Sequence, residues 1–263
     1  MIEADAESQF GGKAVNLGIA LRAGLSVPTG FALAYDCVGR IVQNNATALI
    51  ELNKAFVQMR TPIAVRSSAI GEDSENASFA GQHMTLLNIT DFAQLKSAID
   101  EIVKSASTPS ALSYRAKLGI DAAPQMAVVL QELFKPEAAG VMFTRNPMNA
   151  EPERVIEAAW GLGEVVVAGL VIPDYYRISP AGEILERRVG EKDIEFRLLD
   201  AGGIEEVDVP AERINARILD DDTLGKLHLM AQQCETIYGT GLDIEWGLAD
   251  GKLMLLQCRS ITT

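Results

Sequence analysis

The segment LDIEWGLADGKLMLLQCRS, residues 242–260, leaves the chain little choice: two runs of alternating apolar and polar residues meet at Asp250-Gly251, the signature of an antiparallel hairpin. In the first run Leu242, Ile244, Trp246 and Leu248 share one face and Asp243 and Glu245 the other. In the second, Met254, Leu256 and Cys258 share a face, and Gln257 and Arg259 take the opposite one. A two-residue turn at Asp250-Gly251 makes the numbers of paired residues sum to an odd value. Asp243 and Glu245 then lie among Met254 and Leu256, which costs several kcal/mol of carboxylate desolvation. A three-residue loop, Ala249-Asp250-Gly251 with Gly251 in a left-handed bulge position, makes the sum even and is the expected connection. Asp243, Glu245, Gln257 and Arg259 then converge on one face. Oxygen ligands beside a guanidinium suit a divalent cation carrying bound phosphates; a solvated face with an acid–arginine pair is the alternative reading.

The other chemistry-bearing pieces point toward phosphate as well. In TPIAVRSSAIGEDSENASFAGQ, residues 61–82, an apolar strand delivers Arg66 and two serines into a loop of small residues. Such loops let backbone approach phosphates closely, although Glu72, Asp73 and Glu75 favour a phosphate accompanied by a metal over a bare one. Gly11-Gly12-Lys13 precedes a helical stretch, so it reads as an anion-holding helix start or as a simple cap. Glu157, where a strand meets a Gly-rich turn, fits a metal or ribose site or an ordinary strand end, and Trp160 reads as packing. His83 and His228 have no triad or metal context, with His228 exposed or satisfied on its helix.

Composition excludes several classes. A chain of 263 residues, 48% hydrophobic, can bury a large core. A formal net charge of −13 disfavours a nucleic-acid partner, since affinity for a phosphate backbone comes from clustered Lys and Arg. Cys37, Cys234 and Cys258 are too scattered for a disulfide framework or a zinc site and point to the cytoplasm. The N-terminus lacks a signal pattern, and the longest apolar stretch is too short for a bilayer span, so no membrane is expected.

Two α+β lobes are expected, 1–123 and 124–263. In the first, a helix opens on Gly11-Gly12 and ends at Gly24 with Ala14, Leu17 and Leu21 as its buried stripe. A strand over 31–34, a helix over 38–59, a strand over 62–66 and helices over 91–106 and 109–118 follow. The second half is mostly strand, interrupted by a helix with Leu224, Leu227, Ala231, Cys234 and Tyr238 in register, Asp220 to Asp222 at its start and Gly239 at its end.

Taken in order, GGKAVNLGIALRAGLSVPTGF, AVRSSAIGEDSENASFAGQHMTLLN, VVLQELFKPEAAGVMFTRNP, IEAAWGLGEVVVAGLVIPDYY and DIEW…LLQCRSIT resemble the successive motifs of the nucleotide-binding domain of the phosphoenolpyruvate synthase and pyruvate phosphate dikinase family. Rifampicin phosphotransferase carries a similar domain. The resemblance implies an ATP-grasp fold, two lobes clamping ATP. It implies that Lys13 and Arg66 hold the phosphates, that the loop containing Ser78 and Gly81 closes over them, and that Gln131, Glu132 and Leu133 meet the adenine. It further matches Glu245 and Gln257 to Mg2+ ligands, Asp243 to the supporting acid and Arg259 to a phosphate-binding arginine, with Lys13, Arg66 and Arg259 the catalytic cations.

The family's chemistry is a dikinase reaction: ATP is cut to AMP, the β-phosphate passes to a histidine, and the γ-phosphate leaves to water or phosphate. Two departures stand out. The segment between Phe31 and Ile63 is short, and the sequence contains no Thr-Ser-His phosphocarrier motif. The expectation is therefore an ATP-binding subunit of a split dikinase, with a separate phosphohistidine-carrier chain and an acceptor-binding subunit as partners. A non-catalytic nucleotide-sensing module is the alternative, and an acyl-phosphate-forming ligase a third reading.

Overall fold

The computed structural model describes residues 1–71, 84–109, 112–113 and 125–261. The loop containing Ser78 and Gly81, and most of the helix expected over 109–118, lie outside the described residues. The chain divides into two compact units, one comprising Met1–Ile19, Thr29–Leu133 and Leu199–Gly203, the other Ala20–Pro28, Phe134–Leu198 and Ile204–Thr263. Both mix helix and strand, the α+β class expected.

The first unit is built on a four-stranded sheet of order β1-β4-β2-β3, from β1 (Gly30–Leu33), β2 (Ile63–Ala69), β3 (Thr85–Ile89) and β4 (Met126–Glu132). The sequence reading assigns β4 to the start of the second lobe. Its hydrogen bonds to β1 on one side and β2 on the other make it an interior strand of the first unit's sheet. Alternation sorts its two faces. Ile63, Val65, Val128 and Leu130 enter a core shared with helices α2 (Tyr35–Val42), α3 (Ala46–Phe56) and α4 (Phe92–Ser105). Ala64, Arg66, Val129 and Gln131 fall on the reverse face.

Local signals explain the helices. Asp91 caps α4 by accepting from the Gln94 N–H at 2.8 Å. The single helix expected over 38–59 is two, because Asn44 takes a left-handed conformation (φ 57°) and Asn45 restarts the chain as the N-cap of α3, accepting from the Ala48 N–H. Helix α1 (Glu7–Arg22) is interrupted at Gly11, with φ 73° and ψ 161°, so its continuous part begins at Gly12, on the Gly pair as the sequence suggests, with a further helical turn from Glu7 ahead of it.

The second unit carries a six-stranded antiparallel sheet of order β12-β11-β5-β6-β7-β8. Its strands are β5 (Ala138–Phe143), β6 (Arg154–Trp160), β7 (Asp174–Ile178), β8 (Ile184–Arg188), β11 (Leu242–Ala249) and β12 (Lys252–Ser260). A separate pair joins β9 (Ile194–Leu198) to β10 (Ile204–Asp208). The short helix α5 (Glu164–Val167) packs on β5 and β6, and α6 (Ala211–Ile214) is a single turn. Helix α7 (Asp221–Tyr238), capped by Asp220 at one end and stopped by Gly239 (φ 89°) at the other, lies on β11 and β12. Its buried Leu224, Leu227, Ala231 and Cys234 follow the expected stripe. His228, expected to be exposed or satisfied, is instead buried on this helix, with Nδ1 lacking a partner among the described residues. No helix among the described residues is long and apolar enough to cross a membrane.

The hairpin departs from expectation at its tip. Asp250 (φ 50°) and Gly251 (φ 69°) form a two-residue turn with both residues left-handed, and Ala249 pairs with Lys252. The register then shifts by one between Glu245 and Trp246, so that Glu245 faces Gln257 while Trp246 faces Leu255. Leu256 is the extra residue of a β-bulge. Leu255 and Cys258, rather than Met254 and Leu256, complete the buried face with Ile244 and Trp246. The bulge achieves what the longer loop was expected to achieve, which is to keep the carboxylates off the apolar face.

Candidate nucleotide site

In the first unit the polar groups gather on the reverse face of the sheet and at the kink in α1. Lys13 is buried and its Nζ donates to the Ser67 carbonyl at 2.9 Å. The Ser68 hydroxyl donates to the Phe10 carbonyl (2.7 Å) and accepts from the Ala14 N–H (3.2 Å), tying strand to helix start. A Cβ on Gly11 would sit 2.4 Å from the Ser68 carbonyl oxygen, so only glycine allows this approach. Arg66, also buried, donates from Nη1 to Gln131 Oε1 at 3.4 Å. Lys13 and Arg66 are thus fixed by strand β2 and its neighbours, and Gln131 is positioned beside Arg66.

The linker-side residues are held by their backbone. The N–H of Glu132 donates to the Thr29 carbonyl (2.8 Å) and that of Leu133 to the Pro62 carbonyl (3.0 Å), while Glu132 Oε1 accepts from the Arg60 N–H. A base meeting this segment cannot take those two N–H groups without breaking bonds already made.

In the second unit the sheet register places the remaining candidates. Asp243 lies directly opposite Arg259, and Glu245 directly opposite Gln257. Arg259 donates from both Nε (2.9 Å) and Nη2 (2.8 Å) to Asp243 Oδ2, leaving Oδ1 buried without a partner among the described residues. Burial raises the Asp243 carboxyl above its ordinary range, and the Arg259 charge opposes that shift. Arg259 is oriented through this pair, and Glu245 and Gln257 present a carboxylate and an amide oxygen on neighbouring strands. Among the described residues no cluster of three or more His, Cys, Asp or Glu side chains could hold a metal alone. A Mg2+ at Glu245 and Gln257 therefore fits only if most of its oxygen ligands come from phosphate and water, the usual habit of that ion beside a nucleotide.

The same register row runs on past the residues singled out by sequence: Gln257, Glu245, Val141, Glu157, Tyr175 and Arg188 are successive cross-strand partners on one face. Tyr175 and Arg188 carry no motif, and only the alternation in DYYRIS hinted at the face of Tyr175. Arg188 stacks over the Tyr175 ring at 4.6 Å. Trp160 packs as expected, donating from Nε1 to the Arg213 carbonyl with that guanidinium 4.2 Å from its ring centroid.

This arrangement coincides with a sequence match. Residues 46–263 fit the family described as pyruvate phosphate dikinase, AMP/ATP-binding domain, and the chain belongs to it. It is an AMP/ATP-binding domain of that family, with an α+β fold. Its relatives include a probable phosphoenolpyruvate synthase of Methanocaldococcus jannaschii, 39% identical over 82% of this chain and 19% of that one. A second, of Methanothermobacter thermautotrophicus, is 35% identical over 96% of this chain and 44% of the relative. A rifampicin phosphotransferase of Streptomyces sviceus is 32% identical over 96% and 34%. The chain thus spans less than half the length of each. Among solved structures it is similar to a D-alanine–D-alanine ligase from Bacillus anthracis, with TM-score 0.41 and 10% identity over 95% of this chain and 55% of that one.

Proposed function

We propose that the chain is the ATP-binding component of a split dikinase. It cleaves ATP to AMP and phosphate and passes the β-phosphate to a histidine on a separate Thr-Ser-His carrier chain, which delivers it to pyruvate, phenol or another small acceptor on a further subunit. The observation that carries this reading is the paired register of the hairpin, Asp243 against Arg259 and Glu245 against Gln257. It sets a fixed arginine beside two oxygen ligands, the set that phosphoryl transfer needs.

In this reading Lys13, Arg66 and Arg259 neutralise triphosphate charge, the loop with Ser78 and Gly81 covers the phosphates, and Gln131, Glu132 and Leu133 border the adenine. Arg66 and Lys13 are buried, so their charges act in a medium where they count for more than in water. Asp243 orients Arg259 instead of touching substrate. Glu245 and Gln257 would hold Mg2+, which when bound offsets charge developing on the phosphate oxygens. Cytoplasmic placement belongs to the same proposal, supported by Cys37, Cys234 and Cys258 not being joined in disulfides.

The test is to incubate the purified chain with ATP and Mg2+, alone and with candidate carrier proteins, and to separate AMP from ADP while assaying acid-labile phosphohistidine. AMP that forms only with a carrier is the expected result. ATP binding without AMP under any condition would sink the dikinase reading. It would favour a nucleotide-sensing module, for which the brief α2–α3 segment between β1 and β2 is the supporting feature.

A further inference from the structure

Strand β8 ends the second unit's six-stranded sheet, with β7 as its one neighbour among the described residues. The backbone of Ile184–Arg188 pairs with β7 alone, so among those residues nothing takes up the N–H and C=O groups of the outer edge. Such a row is a template for a further strand, and proteins ordinarily shield it with bulges, prolines or charges. Here the bulge lies at Leu185, between Ile184 opposite Ile178 and Glu186 opposite Arg177. Glu186, Arg187 and Arg188 follow it in regular register. Leu185 and Val189, which flank these three, are 49% and 45% exposed. The charges are only partly answered within the chain. Glu186 accepts from Arg177 through Oε2 alone, and the Arg188 guanidinium stacks on Tyr175 without hydrogen-bonding to a carboxylate among the described residues.

A second copy of β8 is a strand whose charges fit. Two copies joined along this edge are antiparallel neighbours in one sheet, related by a two-fold axis perpendicular to it, so one residue of β8 faces itself across the axis. Centred on Glu186, the pairing sets glutamate against glutamate, and centred on Arg188 it sets arginine against arginine. Like charges directly opposite are destabilising. Centred on Arg187, it sets Glu186 against Arg188 on both sides of the axis and Leu185 against Val189. The two Arg187 side chains that meet at the axis are each held by Asp221 of their own copy, at 2.8 Å. A foreign strand meets the three charges as a shield, whereas this register turns Glu186 and Arg188 into contacts. We propose that the β8 edge is a self-association surface, on which a second copy of this chain pairs antiparallel about Arg187. The proposal stands independently of the ATP reading. Pairing along about five residues covers less than the ~1,200 Å2 of a standing complex, so the dimer is a transient one, forming at roughly 10–100 µM protein. The net charge of −13 on each copy also opposes it.

The experiment follows sedimentation of the purified chain from about 1 to 300 µM at ~0.15 M salt, where general repulsion is screened. The wild type should pass from monomer to dimer over that range. Glu186→Arg and Arg188→Glu should each weaken the dimer about tenfold, because each turns two attractions into two repulsions. The double variant Glu186→Arg/Arg188→Glu restores both opposite pairs and should dimerise as the wild type does. Register is read separately by Arg187→Cys, which places two thiols on the axis at the roughly 4.5–5.5 Å Cα separation of facing strand residues, within reach of a disulfide. Mild oxidation should cross-link two copies through that position, while Glu186→Cys and Arg188→Cys should not link to themselves. Circular dichroism melts confirm that each variant is folded, and the cross-link needs no charge reversal. A wild type that stays monomeric throughout would overturn the proposal. So would a dimer that the single reversals leave intact, or one that the double reversal fails to restore although it is folded, since either places the contact elsewhere.

Discussion

Arg259 and Asp243 face each other across the terminal hairpin, with two guanidinium nitrogens on one carboxylate oxygen at 2.9 and 2.8 Å. The arginine is one-third exposed and the acid only 14%. Removing the cation therefore strands a buried charge. Arg259→Met should cost about 1–3 kcal/mol of stability at pH 7, below the range for a fully buried pair because solvent screens this one. The sign with pH follows: burial already raises the folded carboxyl, and losing Arg259 raises it further. The variant's deficit should therefore be small below the unfolded carboxyl value and grow as pH rises through the folded one. Denaturant unfolding from pH 4 to 8 checks this, and adding Asp243→Asn should recover most of the loss. A pH-independent deficit would mean that the pair is not coupled as described.

Gly11 tests the junction of helix and strand in the first unit. Alanine there meets both a left-handed φ of 73° and the Ser68 backbone at 2.4 Å. At Gly24 the φ is also positive, 82°, yet a Cβ meets nothing within 4 Å. Gly24→Ala should cost about 1 kcal/mol, the conformational penalty alone. Gly11→Ala should cost about 2–4 kcal/mol, because the strand must move as well. Thermal melts of the two variants give the comparison; equal losses would remove the packing argument.

How far the residues disclose this arrangement varies with the range of the forces involved. The caps at Asp91 and Asp220 and the stripe of α7 are local and read directly from spacing. That Asp243, Glu245, Gln257 and Arg259 share one face was also legible, because placing carboxylates on an apolar face costs too much for an odd register to compete. The means was not legible. A turn with two left-handed residues and a bulge at Leu256 brings them to one face as a longer loop would, and the structure's choice buries Leu255, whose N–H donates to the distant Ser26 carbonyl. Membership of β4 in the first sheet was hidden for a similar reason. An apolar run declares that it is a strand, but its neighbours come from residues far away in sequence. That Glu157 shares a face with Glu245 follows only from the order β11-β5-β6, which no spacing in the chain reveals.

His228 lies buried on α7, and desolvation together with the nearby charge of Arg154 lowers its pKa below the ordinary 6.5. Below pH 6.5 the unfolded chain takes up a proton that the folded ring refuses. Stability should therefore fall as pH drops through 6.5 and level off once the folded pKa is passed. Replacing His228 with Gln removes this titration. The variant should lose less stability than the wild type between pH 7 and 5, measured by urea unfolding at fixed ionic strength. Parallel curves for the two proteins would show that the ring titrates normally in the folded state.

Variants of the proposed phosphate and metal groups should separate by ligand. Lys13→Ala removes a buried cation without disturbing the hydrogen bonds of Ser68, and ATP affinity should fall about tenfold to a hundredfold, the worth of one or two charge-assisted bonds. Arg66→Ala should behave likewise, with some loss of stability because Gln131 loses a donor. Glu245→Ala should leave metal-free nucleotide binding near wild type and abolish most of the gain that Mg2+ brings, since its carboxylate is the only charged member of the Glu245–Gln257 pair. Calorimetric titration of ATP with and without Mg2+ across the three variants distinguishes the roles. If all three lost affinity equally under both conditions, the division into phosphate-holding cations and metal-holding oxygens would have to be abandoned.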